Sequence, residues 1–248
     1  MANIHLVLQG KGGVGKSLIS AFLAQHRLEN GLTVIGIDTD PVNTSFSRFS
    51  QLQVEPLRLL NDGEIDPSQF DKLMEQFLKL DDGVEIVVDN GAASFVPICD
   101  YLLKNQAIDL LQSEGHLVLV HTVVTGGPAF LDTLSGFDSI VSQFLNHAAI
   151  VLWINPYFGD VDNRGKPFDE IHVIQKHRQS LFGMIYLPKH TGLFADDLRG
   201  MLENHRTFEE IKDDSSLGFM NRRRLSLIRE ALFSAMDPVL GKLAHARS

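Results

Sequence analysis

The fold is decided close to the start of the chain, by residues 4–17, which read IHLVLQGKGGVGKS. The first part of this stretch, Ile4–Leu8, is a short apolar run of the kind found in buried strands. The second part, Gly10–Ser17, satisfies the pattern G-x-x-x-x-G-K-[ST]. A segment with helical period follows, near Ser17–Glu29. A strand, a glycine-rich loop and a helix in this order predict a loop that binds phosphate.

Each part of this loop has a physical task. Glycines adopt backbone dihedrals that side chains forbid, so consecutive N–H groups can point at phosphate oxygens. The start of the helix adds unpaired amides and the positive end of its dipole. Lys16 supplies a cation for the β- and γ-phosphates, and the hydroxyl of Ser17 can ligate Mg²⁺. The residues expected to contact the nucleotide here are Gly12, Gly13, Val14, Gly15, Lys16, Ser17 and Leu18.

The rest of the chain repeats the alternation of strand and helix. Further apolar runs without polar alternation lie at Thr33–Ile37, Glu85–Val88, Leu117–Val120, Ala149–Ile154 and Gly183–Leu187. Segments of helical period lie at Pro67–Leu80, Val96–Gln112, Pro128–Leu145 and Glu170–Ser180. This alternation predicts an α/β fold with a mostly parallel sheet and helices on both faces. No linker interrupts it, so we predict a single domain over residues 1–248.

Composition places the chain among globular proteins. Of its 248 residues 44% are hydrophobic and 21% charged, which is enough to bury a large core and excludes disorder. A single cysteine, Cys99, excludes a disulfide framework and an internal CxxC metal site. Ten histidines show no metal-ligand spacing. No apolar run reaches the ~18 residues of a membrane span, and the start lacks a cationic region, so we expect an intracellular protein without a span.

Acidic residues follow two of the predicted strands. Asp89 ends the run Glu85–Val88, the usual position of an acid that holds Mg²⁺ through water. Asp38 and Asp40 follow the strand that ends at Ile37, and one of them is suited to position an attacking water. A solvated acidic loop is the alternative for each acid alone. Because all of them fall after predicted strands, a site for metal and water is favoured.

Together these motifs resemble those of the ParA/MinD family of dimerising ATPases. Lys11, directly after the first glycine of the loop, makes the loop similar to that family's deviant Walker A motif. Asp38–Pro41 resembles its first switch, and Val87–Asp89 resembles its Walker B strand. Trp153–Asn155 resembles the strand end whose Asn binds adenine, and Leu187–Pro188 the segment whose proline packs on the base. The resemblance therefore implies a P-loop NTPase-type fold over most of the chain.

The resemblance also implies a mechanism. ATP would lie between two subunits of a homodimer, with one lysine crossing to the partner's phosphates, and slow hydrolysis would time a switch between dimer and monomer. The residues implied are Lys11, Lys16 and Asp40 for catalysis, Ser17, Asp40 and Asp89 for Mg²⁺, and Asn155 and Pro188 for the base.

Within the family the chain is most similar to a group of conjugal-transfer proteins of conjugative plasmids, from residues 6–10, 38–43, 89–92, 94–97 and 121–127. A protein of the transfer or partition machinery is then the expected partner, in the bacterial cytoplasm. Two departures limit the comparison. Val42 stands where partition ATPases usually carry Gln, and Asn90-Gly91 differs from the commoner proline-containing sequence.

A basic amphipathic helix is predicted at the end of the chain, from about Phe219. Six basic residues against two acidic ones give residues 218–248 a net charge of +4, whereas the rest of the chain carries −13. Such a surface would bind non-specific DNA or an acidic protein, and an ordinary solvated helix face is the alternative. The basic residues are Arg222, Arg223, Arg224, Arg229, Lys242 and Arg247.

Three classes of function stay open from the sequence. The favoured class is a regulatory ATPase in plasmid transfer or maintenance. The second is a metabolic ATP-dependent synthetase or kinase on the same fold, which would need a pocket for a second substrate. The third is a nucleotide-binding module without significant turnover. The segment Tyr157–Asp169, rich in Gly, Asp and Asn, is either a lid or a plain connector.

Overall fold

The computed structural model describes residues 1–40, 43–61, 64–163 and 165–245. The strands in chain order are β1 (Asn3–Val7), β2 (Val34–Asp38), β3 (Glu55–Pro56), β4 (Leu60–Asn61), β5 (Glu64–Ile65), β6 (Glu85–Asp89), β7 (Leu117–Thr125), β8 (Ala149–Asn155), β9 (Asp162–Asn163), β10 (Lys166–Pro167) and β11 (Gly183–Tyr186). The helices are α1 (Lys16–Glu29), α2 (Ser68–Phe77), α3 (Phe95–Lys104), α4 (Ala107–Ser113), α5 (Phe130–Phe144), α6 (His172–His177), α7 (Leu193–Glu203), α8 (Phe208–Lys212), α9 (Phe219–Leu240) and α10 (Lys242–His245).

Within the described part of the chain, seven strands form one sheet in the order β11-β8-β7-β1-β6-β2-β3. Every neighbouring pair in it is parallel. The central strand β1 pairs with β6 and β7, so that Val7 lies between Asp89 and His121. The loops after β1, β2 and β6 therefore meet at one edge. The predicted α/β class with a parallel sheet is confirmed.

Helices cover both faces of this sheet. Side chains of β1 alternate between the faces, as the pleat requires. Ile4 and Leu6 lie in a core shared with α2 to α6, whereas Val7 lies in a core shared with α1 and α7 to α10. The helix α9 begins at Phe219 and buries an apolar stripe on the sheet. The residues predicted for this stripe are all buried, namely Leu225, Ile228, Leu232, Met236, Val239 and, in α10, Leu243, and Phe233 and Leu240 of α9 are buried with them.

The largest differences from the predicted elements lie at two places, and the helices α7 and α8 were not predicted. The helix predicted over Val96–Gln112 is wrong as one piece, because Gln106 has a φ of 49°, a left-handed conformation that ends α3 and separates it from α4. The strand predicted over Leu117–Val120 continues to Thr125, since β8 pairs with it along its whole length up to Asn155. The segment 157–169 holds a turn and the short hairpin of β9 and β10.

A chain of hydrogen bonds crosses the sheet on the α1 side. His5 contacts Glu85 through Nε2 at 2.6 Å and His121 through Nδ1 at 2.9 Å. The indole N–H of Trp153 donates to Nδ1 of His121 at 2.9 Å. At the other end Arg27 donates to Glu85 at 2.8 Å. We call this group the histidine network; its buried members are Asn3, His5, Arg27, Glu85, His121 and Trp153.

The hydrogen bonds of the network run in one direction, from donor to acceptor, towards Glu85. Because Trp153 donates to Nδ1 of His121, a neutral His121 carries its proton on Nε2 and donates to His5. His5 then accepts at Nδ1 and donates from Nε2 to Glu85. Burial holds the pKa of His121 well below its usual value, which keeps this ring neutral. All donors therefore point towards the Glu85 carboxylate, whose charge is balanced by Arg27.

Candidate nucleotide site

The glycine-rich loop turns from β1 into α1 at the carboxyl edge of the sheet. Gly13 and Gly15 have φ angles of 71° and 102°, in the left-handed region that favours glycine. At Gly15 the amide nitrogen of Asn155 lies only 2.8 Å from where a Cβ would stand. Any side chain at Gly15 would therefore be strained twice, by its dihedrals and by Asn155.

The ammonium of Lys16 lies underneath this loop. The side chain is 7% exposed, and its Nζ donates to the carbonyl of Lys11 at 3.0 Å. Burial lowers the pKa of Lys16, while the nearby carboxylates of Asp89 and Asp40 act in the opposite direction. The lysine thus stands between the loop and the acids, where a phosphate chain cradled by the loop would meet it.

Asp89 ends β6 and is buried beside the start of α1. Its carboxylate accepts a hydrogen bond from the Ser20 hydroxyl at 3.0 Å, and the Ser17 hydroxyl also bonds to it. Burial, with repulsion from Asp38, raises the pKa of Asp89 to about 7. The sequence analysis missed Ser20, although it lies one helical turn after Ser17 and so faces the same strand end.

The two acids after β2 have different surroundings. Asp38 is 1% exposed, and its carboxylate accepts the backbone N–H groups of Asp40 at 3.1 Å and Ser47 at 2.9 Å, so it shapes the loop. Burial raises the pKa of Asp38. Asp40 is half-buried and accepts the N–H of Asn43 at 2.9 Å. Of the two, Asp40 is the acid that a bound molecule can reach. The predicted features Pro41 and Val42 lie outside the described residues.

The segments that follow β2 and β6 are bonded to each other. The Thr39 hydroxyl contacts the Asp89 carbonyl at 3.0 Å and the Asn90 side chain at 3.2 Å. A Cβ on Gly91 would stand 2.7 Å from the carboxyl carbon of Asp40. Glycine at position 91 therefore leaves room for Asp40. Sequence patterns gave no sign of the Thr39–Asn90 bond, since 51 positions separate the two residues.

A cavity of about 580 Å³ opens beside the loop. Its walls include Gly13, Gly15, Leu18, Asn155 and Pro188, which the sequence analysis assigned separately to nucleotide binding. The helix α7 and the turn after β8 supply a further part of the wall, which was not predicted from the sequence. The principal residues of that wall are Tyr157, Phe158, Leu198, Arg199 and Leu202.

Asn155 joins this cavity to the loop. Its side-chain N–H donates to the Val14 carbonyl at 3.0 Å, and its oxygen accepts the N–H of Tyr157 at 3.1 Å. The amide therefore stands at the wall with both its ends oriented by backbone groups. A base in the cavity would meet a preorganised amide on one side and the Pro188 segment on another.

Lys11 does not point towards the acids of the site. Its Nζ lies 2.7 Å from a carboxylate oxygen of Asp132, in the first turn of α5. The two side chains are 45% and 58% exposed. The lysine expected to cross to a partner is thus paired within its own subunit.

Two oxygen groups beside the loop, from Ser17 and Asp89, could hold a metal ion. Among the described residues there is no group of three or more His, Cys, Asp or Glu side chains arranged to hold a metal ion. Mg²⁺ commonly keeps several waters and is held by few protein ligands together with substrate phosphates. The Ser17 hydroxyl beside the buried Asp89 carboxylate suits that mode of binding.

The basic helix is partly neutralised inside the subunit. Arg224 pairs with Asp197, Arg229 pairs with Glu29, and Lys242 donates to the Phe182 carbonyl at 2.7 Å. For Arg222 and Arg223 no ion pair is found within the part of the chain that the structure describes, and Arg247 lies outside it. No helix in the described ranges is long and apolar enough to cross a membrane.

The parallel sheet, the loop and its acids define a P-loop nucleotide-binding protein. Residues 5–220 match the CobQ/CobB/MinD/ParA nucleotide binding domain family, and the chain belongs to this family. Two proteins of Escherichia coli, each called Protein TraL, are 43% and 41% identical over 238 residues, which cover 96% of this chain and 98% of each relative. The predicted family and the predicted likeness to this group of proteins are confirmed.

Solved structures agree on the fold. The septum site-determining protein MinD of Pyrococcus horikoshii, solved with Mg-ADP, superposes with a TM-score of 0.51 at 17% identity, over 93% of this chain and 96% of that one. The MinD cell division protein of Aquifex aeolicus gives a TM-score of 0.50 at 15% identity, over 94% and 97%. At these identities the likeness concerns the fold.

Proposed function

We propose that the protein is a slow, Mg²⁺-dependent ATPase of the bacterial cytoplasm whose ATP-driven dimerisation controls partner binding in plasmid conjugal transfer or maintenance. The observation that carries the proposal is the buried Lys16 ammonium beneath a loop with two left-handed glycines, next to Ser17 and Asp89. Membership of the family and the likeness to TraL support the ATPase and transfer parts.

Each residue of the phosphate end has one role in this proposal. The loop amides and Lys16 bind the β- and γ-phosphates, and Lys16 exchanges its bond to the Lys11 carbonyl for phosphate oxygens. Ser17 would ligate Mg²⁺, and Asp89 would hold it through water. The metal, when bound, neutralises charge on the phosphates. A Mg-ADP complex of the Pyrococcus horikoshii protein supports this composition of the ligand.

Asp40 orients the attacking water and is a second acid that would hold the metal. Hydrolysis consumes ATP and water and yields ADP and phosphate. Asp40 is suited to the role because it is accessible and held against Gly91 by the bonded segments after β2 and β6. In the dimer Lys11 adds a positive charge to the partner's phosphates in the transition state. Asn155 and Pro188 hold the base in the cavity.

The first test separates the two lysines. Lys16→Ala should lose Mg-ATP binding, by 100-fold or more, in isothermal titration calorimetry. Lys11→Ala should bind Mg-ATP nearly as well as the wild type but no longer dimerise with a slowly hydrolysed analogue in size-exclusion chromatography. Unchanged dimerisation of Lys11→Ala would contradict its role across the interface. Any product other than ADP and phosphate would instead favour a synthetase or kinase.

Asp40→Ala should bind ATP, keep the dimer and stop turnover. Wild-type hydrolysis in this variant would remove Asp40 from the mechanism. Affinity purification of the trapped dimer, with Lys16→Ala as the matched nucleotide-free control, should retain a protein of the transfer machinery.

DNA is tested separately with Arg222→Glu and Arg223→Glu combined. This variant leaves Arg224 unchanged, because Arg224 forms an ion pair with Asp197. A fall in DNA retention at low salt would support DNA as a second partner.

A further inference from the structure

The lysine expected to act on a partner subunit is held by an acid of its own chain. Lys11 and Asp132 form an ion pair of 2.7 Å between Nζ and Oδ2. Asp132 lies in the first turn of α5, where an acid also interacts favourably with the helix dipole. Lys11 lies in the glycine-rich loop, between Gly10 and Gly12. One partner of the pair is therefore on a rigid element and the other on the nucleotide loop.

The start of α5 is fixed to the loop by buried contacts. Gln9 is 1% exposed, and its side-chain N–H groups donate to the carbonyls of Val123 at 2.9 Å and Thr133 at 3.2 Å. Gly136 has no side chain at the point where a Cβ would stand 2.2 Å from the Gln9 oxygen. Packing thus sets the distance from the start of the loop to the backbone of α5, so the ion pair opens by movement of the two exposed side chains.

We infer that Asp132 is a positioning residue that retains Lys11 in its own subunit, and that dimerisation on nucleotide requires this ion pair to open. The inference rests on the proposed function, in which Lys11 contacts the phosphates of the partner. The ammonium of Lys11 cannot form close ion pairs with Asp132 and with a phosphate chain across the interface at the same time. The more highly charged ATP competes better for Lys11 than ADP does, so Asp132 disfavours the dimer with ADP.

The sign of the effect separates this role from its alternatives. If Asp132 competes for Lys11, removing its charge tightens the dimer. If Asp132 instead contacts the partner, the same change weakens the dimer, and a role limited to the helix dipole leaves the dimer unchanged. Exposed ion pairs of this kind shift an equilibrium by up to about five-fold. Because two such pairs open in each dimer, we expect Asp132→Asn to tighten the dimer by roughly two- to twenty-fold.

Sedimentation equilibrium provides the test, with Mg²⁺ and either a slowly hydrolysed ATP analogue or ADP. The matched control is Asp109→Asn, because Asp109 also lies in the first turn of a helix, α4, and pairs with the half-exposed His147. We expect a tighter dimer for Asp132→Asn with both nucleotides and no change for Asp109→Asn. An equal tightening in the control would assign the effect to net charge and contradict the inference.

Carbodiimide cross-linking tests the pair itself, because this reagent joins an amine to a carboxylate in contact. Mass spectrometry of mixed ¹⁵N-labelled and unlabelled protein should find a Lys11–Asp132 link within one chain, which decreases when Mg²⁺ and the ATP analogue are added. A link that the analogue leaves unchanged would contradict the inference. A wild type that never dimerises would contradict the proposed function and the inference with it. A wild-type dimer that Asp132→Asn leaves unchanged or weakens would contradict the inference alone.

Discussion

Two polar clusters lie in the same sheet and are built in opposite ways. In the histidine network the Glu85 carboxylate is matched by Arg27 and by a directed chain of donors. Burial alone would raise the pKa of Glu85, but hydrogen bonding and electrostatic attraction, first from His5 and then from Arg27, lower it to about 2. At the nucleotide site burial and the neighbouring Asp38 raise the pKa of Asp89 to about 7.

The difference shows which cluster serves the fold and which serves a ligand. The network balances its charges with groups of the chain, so it should contribute to stability and contact no ligand. The site gathers carboxylates around one lysine, an arrangement that costs stability and becomes balanced when a cation arrives with the nucleotide. Substitutions in the two clusters should therefore affect stability with opposite signs.

The largest effect is expected for Glu85→Gln. This change leaves the guanidinium of Arg27 buried without its counter-ion, which costs about 3–5 kcal/mol in the free energy of unfolding. Urea denaturation at pH 7 measures it. The matched control is Glu75→Gln, whose exposed pair with Lys79 should change stability by less than about 0.5 kcal/mol. A loss below about 1 kcal/mol in Glu85→Gln would contradict the role given to the network.

Trp153→Phe should lower the free energy of unfolding by less than Glu85→Gln does. The change removes the indole N–H and leaves Nδ1 of His121 without its donor, at a cost of about 1–3 kcal/mol. Because Trp153 is the only tryptophan of the chain, unfolding is followed by circular dichroism. Mg-ATP affinity of the folded protein should stay within a few-fold of the wild type. Equal stability of the two proteins would show that the direction assigned to the network is wrong.

The network also predicts how stability depends on pH. The folded-state pKa of His121 lies well below the value near 6.5 of the unfolded chain, so below pH 6.5 the unfolded state binds one proton more. The contribution of His121 is complete above this pH and is lost on acidification, by up to about 1.4 kcal/mol per pH unit. Buried His26 acts with the same sign. Urea titrations between pH 5 and 6.5 give the slope of the free energy of unfolding against pH. The part of this slope that His121→Gln removes is the contribution of His121.

The smallest effect, with the opposite sign, is expected for Asp89→Asn. A neutral amide relieves the burial of a carboxylate beside Asp38, so the nucleotide-free protein should be more stable by about 1 kcal/mol. Mg-ATP binding should weaken in calorimetry. A variant that is clearly less stable than the wild type would place Asp89 with the network and remove the contrast between the two clusters.

Sequence patterns were sufficient for the parts of the molecule that depend on local order. The glycine loop and its helix are consecutive in sequence, and the acid at the end of β6 directly follows its strand. Asn155 and Pro188 were assigned from the family resemblance, and the structure brings them to one cavity with Gly13, Gly15 and Leu18.

The parts that escaped prediction depend on distant contacts. His5 and His121 are 116 positions apart and showed no ligand spacing, yet they are bonded. Arg224 forms an ion pair with Asp197, which lies on another helix. The break at Gln106 depends on a left-handed residue that is not glycine, for which the sequence carries no marker.

The glycine pair after β7 has a mechanical consequence. At Gly126 a Cβ would lie 2.2 Å from the carbonyl oxygen of Gly159, and at Gly127 it would lie 2.6 Å from that of Phe158. Here two main chains touch with no rotatable group between them that could absorb a displacement. The turn that forms part of the base cavity and the corner that leads into α5 are therefore in direct backbone contact. A displacement of one segment would displace the other.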